Sequence, residues 1–245
     1  MLRFHARTLK LLNVAPATSA IAVAELDAVE ARVGRKLPAS IREWYSLDGA
    51  CALLQRYSND DWPLKVHEFG LPRKDTHDGG PHDLLARDLV VFRYENQGVC
   101  VWAFGMDGTD DPPAYVDFDS QFKTWTKCAP TFSEHLYAWK WDYSKVLTKD
   151  LLVQAQNEPL SETALGMLRS KLDAGPVTHG WPGHTQYRFS KGDQRLLIWA
   201  SDDQADWWLT ADREESLQEL IESVRPCDQV GQSLWTNSER AESLF

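Results

Sequence analysis

Between Ser19 and Arg35, Ala22, Leu26, Val29 and Val33 recur at three- and four-residue steps among charged side chains, which predicts an amphipathic helix ending at Gly34. From Leu37 to Gly49, Pro38 suits a first helical turn, Ile41, Trp44 and Tyr45 share one face, and Gly49 is the natural stop. The pattern then shortens to strand-like runs at Asp88 to Tyr94, Val99 to Phe104 and Ala114 to Phe118. The short turn Glu95-Asn96-Gln97-Gly98 joins the first two as a hairpin, and Met106 to Pro113 forms a longer acidic loop before the third. Thr131-Phe132-Ser133-Glu134 has the form of a capping box, so a helix is expected from there to about Trp141.

A second cycle follows. Helical signals appear at Thr148 to Gln156 and at Ser161 to Leu172, each opened by a hydroxyl cap, and Gly175-Pro176 closes the pair. Alternation around Tyr187 and Phe189 marks a strand, Lys191-Gly192-Asp193 a turn, and Arg195 to Ala200 and Ala205 to Thr210 two further strands. Asp212-Arg213-Glu214-Glu215 is a second capping-box candidate, ahead of a helix carrying Leu217, Leu220, Ile221 and Val224 up to Pro226. The tail beyond Pro226 is expected to be loosely ordered. Each half thus reads as helices, a strand meander and a helix. The class is α+β, with an antiparallel meander packed on N- and C-terminal helices in residues 1–143 and a smaller α+β unit, a three-stranded antiparallel meander between helices, in residues 144–245.

Charge narrows the function. The chain has 26 Lys and Arg against 36 Asp and Glu, a net charge of −10. With no cluster of Lys and Arg to meet phosphates, direct nucleic-acid binding is not expected, and a basic partner is. No apolar run reaches the roughly 18 residues of a membrane span, and Met1 to Ala15 lacks the apolar centre of a signal peptide, so no membrane association and a cytoplasmic location are expected. The four cysteines, Cys51, Cys100, Cys128 and Cys227, show no CxxC spacing and read as free thiols.

Chemistry-bearing patterns are sparse. Asp75 to Asp83 gathers His77, Asp78 and His82, but Gly79, Gly80 and Pro81 make it a solvated loop rather than a ligand frame, and no metal is expected there. Asp107, Asp110 and Asp111 lack the alternating ligands and closing glutamate of an EF-hand. There is no Gly-x-Ser-x-Gly elbow and no glycine-rich phosphate loop; Cys128 and His135 could meet in space, with a buried structural role as the simpler reading. No cofactor and no catalytic residue are assigned. Tryptophan stands out instead, with 11 in the chain. Trp44, Trp102, Trp139 and Trp199 read as core, whereas Trp62, Trp181 and Trp207, the first and last beside acidic residues, are candidate partner-binding rings.

Three segments resemble the SUKH superfamily of α+β domains, which includes bacterial toxin-immunity proteins and a fungal cell-wall assembly regulator. They are Glu25 to Gly34 with Leu37-Pro38 and the helix to Asp48-Gly49; Gly98-Val99-Cys100-Val101-Trp102-Ala103-Phe104-Gly105 with Asp110-Asp111-Pro112-Pro113-Ala114-Tyr115-Val116; and Trp125 with Thr131-Phe132-Ser133-Glu134-His135-Leu136, where His135 replaces the usual aromatic or aliphatic residue. The likeness spans about residues 18–141. It implies a non-catalytic immunity protein that binds and neutralises a polymorphic toxin, such as a basic nuclease or deaminase; the alternative is a regulatory interaction scaffold unrelated to toxins. On the first reading, carboxylates at Asp107, Asp110, Asp111, Asp117, Asp202, Asp203 and Asp206 would steer a basic toxin groove onto the surface while nearby rings exclude water.

Overall fold

A computed structural model describes residues 2–71, 87–119, 121–180, 183–228 and 230–244. The chain divides into two compact units, Met1–Lys140 and Trp141–Phe245. The α+β class expected from the sequence is what the structure shows: each unit combines helices with an antiparallel sheet. Among the described residues, no helix is long and apolar enough to cross a membrane.

In the first unit, α1 (Ala6–Leu12) precedes α2 (Ala20–Val33), whose N-terminal Ala22 N–H is capped by Ser19 Oγ and whose end is turned by Gly34 at φ 71°. Pro38 is the N-cap of α3 (Ala39–Tyr45), and Gly49, at φ 68°, starts the short α4 (Ala50–Gln55) rather than ending the helical region. The sheet runs in chain order: β1 (Trp62–Pro63), β2 (Leu89–Tyr94), β3 (Val101–Gly105), β4 (Ala114–Asp117) and β5 (Thr126–Ala129). Helix α5 (Phe132–Trp141) closes the unit, and Thr131 Oγ1 accepts from Glu134 N–H at 3.1 Å, the threonine half of the expected box. Edge-to-face rings fill the interior, including Tyr45 on Phe69 (4.8 Å) and Phe92 on Phe132 (5.2 Å).

The second unit differs from expectation in four places, the last at the start of its final helix. Residues 152–157 form strand β6 (Leu152–Asn157), not a helix: Val153 and Ala155 are buried while Gln154 and Gln156 are not, a period of two set by pairing with β11 (Ala205–Thr210). The sheet also exceeds a three-stranded meander. Its order is β6-β11-β10-β9-β7, with β7 (Asp173–Ala174), β9 (Thr185–Lys191) and β10 (Gln194–Ala200), and β8 (Thr178–His179) pairs with β9 as well. Nor is the tail loose: Val230 and Ala241 are fully buried, Trp235 exchanges two 2.8 Å backbone hydrogen bonds with Gln154, and the Asp228 carboxylate accepts from Ser161 N–H and Oγ–H.

Helices α6 (Glu162–Lys171) and α7 (Glu214–Val224) contribute to one core with the sheet. Leu217, Leu220, Ile221 and Val224 are fully buried, the stripe expected of α7, but its N-cap is Arg213 without a side-chain cap, so the second box does not form. A π-helical turn, Asp142–Leu147, packs on β10 and β11.

Candidate partner-binding surface

The acidic loop between β3 and β4 is largely committed to its own unit. Asp107 Oδ1 accepts from Thr109 N–H and Oγ1–H at 3.1 and 2.7 Å, which makes a local turn. Asp110 pairs with Arg3 at 2.7 Å, both exposed, while its carbonyl accepts from Ser40 N–H. Asp111 accepts from Ser133 N–H and Oγ–H and so caps α5. The loop remains at the surface with one carboxylate partly neutralised and another used as a cap.

Asp117 and Trp207 are corrections to the surface set. Asp117 ends β4 with only 1% of its surface exposed, and Trp207 is wholly enclosed, its indole N–H donating to Asn157 Oδ1 at 2.7 Å. Strand alternation explains Trp207: in β11 it points to the same face as Ala205 and Leu209, whereas its neighbours Asp206 and Trp208 point to the other. Trp62 is about half exposed on β1, paired with Tyr94. The loop 106–113 leaves the sheet beyond the Gly105–Leu89 pair, at the other end of β2, so Trp62 and the acidic loop are not one patch. Trp181, and the His77, Asp78 and His82 group, lie outside the described residues.

In the second unit the turn Ser201–Gln204 carries Asp202 and Asp203, both exposed, and is closed by Ser201 N–H donating to the Gln204 carbonyl. They border a cleft of about 600 Å³ where the start of α6 meets the ends of β9 and β10. Its lining is largely polar, with His184, Thr185, Ser201 and Gln204 beside a smaller apolar part from Leu160, Tyr187 and Ala200, and Glu162, Asp202 and Asp203 give it its charge. None of those three carboxylates takes part in an ion pair among the described residues. Asp206 is elsewhere, accepting from Gln156 at 2.7 Å. Glu162, His184 and Tyr187 were missed by sequence reasoning because the cleft draws on three segments, around residues 160–165, 183–187 and 200–204, and only the packing of α6 on the sheet joins them. No local signal carries that.

Cys128 Sγ lies 3.6 Å from His135 Nδ1, so the two residues do meet, but Cys128 is fully buried and burial pushes its thiol up to about 12, which keeps it protonated. Lys140 is also fully enclosed. Burial, with Arg93 alongside, pushes its ammonium down to about 6, and its Nζ donates to the carbonyls of Leu54, Arg56 and Tyr57 at the end of α4. That is the position of a helix C-cap, closed to substrate. Arg93 lies between the rings of Trp102 and Trp139, at 3.4 and 3.6 Å, and 3.2 Å from Asp61. Among the described residues no group of three or more His, Cys, Asp or Glu is placed to hold a metal ion.

Comparisons with family models, with curated proteins and with solved structures find no match for this chain.

Proposed function

We propose that this protein acts by binding rather than by catalysis, as an immunity-type protein that captures a basic toxin domain through its second unit. The observation that carries the reading is the cleft beside Asp202 and Asp203: three carboxylates without an ion pair border a largely polar recess, the complement of a Lys- or Arg-bearing protein surface. The likeness of residues 18–141 to the SUKH superfamily and the net charge of −10 support it. Burial of Cys100, Cys128, Cys227 and Lys140 favours binding over group-transfer chemistry.

The test is affinity purification of the tagged chain from its host at moderate salt, followed by mass spectrometry, beside Asp202→Lys/Asp203→Lys. The expected outcome is a stoichiometric basic toxin-like protein retained by the wild type, released by high salt, and lost or bound at least about tenfold more weakly by the variant. A partner retained equally by both chains would move the contact away from this cleft. A partner that is not a toxin would favour the regulatory scaffold, and no partner under conditions where a toxin is co-expressed would remove the immunity reading.

A further inference from the structure

The face of the second unit's sheet that turns away from its core carries a pair of contacting rings. Trp199 on β10 and Trp208 on β11 alternate with the buried Ile198 and Trp207, so both project from the opposite side, where each is partly exposed. Their centroids are 5.0 Å apart, with the planes at 59°. Asp206 stands directly opposite Trp199 in the ladder and two residues before Trp208, which puts its side chain on the same face. Gln156 and Gln204 donate to its carboxylate at 2.7 and 3.4 Å, but both are neutral, and Asp206 takes part in no ion pair among the described residues. Nor, among them, does any cation lie over either ring.

The first unit shows what such a set holds. There two tryptophans and one aspartate, Trp102, Trp139 and Asp61, surround the Arg93 guanidinium at 3.4, 3.6 and 3.2 Å. We propose that Trp199, Trp208 and Asp206 form the open counterpart of that set, a receptor for one arginine side chain of a basic partner protein. The inference rests on the reading that the partner is basic, and adds which side chain anchors it and where. Arg93 takes 3.4 and 3.6 Å on its two sides, so rings with centroids 5.0 Å apart admit no guanidinium between them. The incoming group lies flat on an outward ring face instead, while the second ring braces the first. Its in-plane N–H groups then reach Asp206, whose oxygens keep lone pairs beyond those taken by the two amides. Arginine suits this better than lysine, because a planar fork stacks on a ring and donates in its own plane at once, and is more weakly hydrated. Charge complementarity points the same way: Asp202 and Asp203, on the turn that joins the two strands, are exposed, and they draw a cation while repelling the phosphates of a nucleic acid whose bases could otherwise stack on the rings.

NMR of the indole N–H groups in the isotope-labelled full chain tests this, with Trp199→Phe and Trp208→Phe identifying the two signals. The probe is the blocked peptide acetyl-Gly-Arg-Gly-Arg-Gly-amide, set against the same peptide with lysine in place of arginine. Expected are saturable shifts of both signals with the arginine peptide, and binding at least about threefold weaker with the lysine peptide. Trp208→Leu should weaken the arginine peptide about tenfold, and Asp206→Asn, which keeps the shape and removes the charge, about fivefold. Both positions are partly exposed, so neither change empties the core. The ring site and the cleft fail separately. If Asp202→Lys/Asp203→Lys abolishes peptide binding while Trp208→Leu and Asp206→Asn leave it intact, the cleft stands and the ring site falls; if the two ring-site variants lose the peptide, the ring site stands even where the cleft variant still retains the purified partner. Absence of any shift, an equal response to the two peptides, or signals that move with protein concentration alone and so put a second copy on this face, overturns the proposal.

Discussion

Each unit buries one arginine against one aspartate, and the two do it by different means. Arg188, 2% exposed on β9, makes a two-pronged contact with Asp142, Nε and Nη2 each at 2.6 Å from a carboxylate oxygen. Its remaining donors reach the Pro176 carbonyl, Thr178 Oγ1 and Gln186 Oε1. Arg93, equally buried on β2, has a longer 3.2 Å ion pair with Asp61 and spends its two flat faces on Trp102 and Trp139. A guanidinium can thus leave water either by saturating its N–H groups or by exchanging hydration for aromatic faces. The first route demands fixed geometry and ties the π-helical turn 142–147 to the sheet. The second demands large rings, and it accounts for two of the tryptophans in the first unit.

The contrast is tested most severely at Arg188. Arg188→Ala leaves Asp142 buried without its counter-charge and strips donors from Thr178 and Gln186, so a loss of about 3–5 kcal/mol is expected in urea unfolding. Arg188→Lys should recover only part of it, because an ammonium cannot reproduce the two parallel bonds. A cost below about 1 kcal/mol for Arg188→Ala would show that geometry at this pair matters little. In the first unit, Trp102→Leu removes one ring from Arg93 and keeps an apolar side chain in place. About 2 kcal/mol is expected, and Trp102→Phe should restore most of it; if Phe and Leu behave alike, the aromatic face is not what holds Arg93.

Acid provides a gentler probe, since buried carboxyl groups in the two units respond with opposite sign. Glu30, on α2, is raised by burial, but Lys36, the Leu37 N–H and Arg42 outweigh this and hold it below its ordinary 4.5. Its contribution is therefore present above that value and lost as pH falls through the lowered folded value. Asp142 goes the other way: burial raises it above its ordinary 3.8 against the opposition of Arg188. The folded state then binds the proton more readily, so stability from this group is fully present below 3.8 and lost as pH rises through the raised value. Amide exchange, corrected for intrinsic rates, should show α2 opening more easily as pH falls from 5 to 3.5, with no such loss at β9. Equal weakening of both would contradict the assignment of opposite signs.

These pairs also show where sequence reading stops. The helix at Ala20–Val33 was legible because its cap, its stripe and its terminal glycine agree, and the hairpins because their turns and alternations do. The segment 148–156 misled because the hydroxyl cap at Thr148 preceded a run whose alternation is short, and pairing with β11 decided for strand. Trp207 misled because adjacency to Asp206 in the chain places it on the opposite face of the strand. The tail looked loose because its anchors, Asp228 to Ser161 and Trp235 to Gln154, are contacts across 67 and 81 positions that no local pattern records. The cleft was half legible: Asp202 and Asp203 announced themselves as an exposed acidic turn, whereas Glu162 came from a helix start that read only as a cap.

The thiols separate the two units. Cys100 and Cys128 belong to the first unit, where burial pushes both up to about 12 against the opposing pull of Arg93. Cys227 belongs to the second, 1% exposed and raised by burial with Lys171 opposing. Neither set should react with iodoacetamide at neutral pH except through opening, while the partly exposed Cys51 reacts first. If each unit opens on its own, Arg188→Ala should speed alkylation of Cys227 by about a hundredfold, the equivalent of 3 kcal/mol, and leave Cys128 within about twofold. Mass spectrometry of timed samples reads both sites from one reaction. A matched acceleration at Cys128 would mean that the hydrogen-bonded arginine and the ring-clasped one stabilise a single cooperative structure, and the comparison between them would then concern chemistry alone rather than separately stable parts.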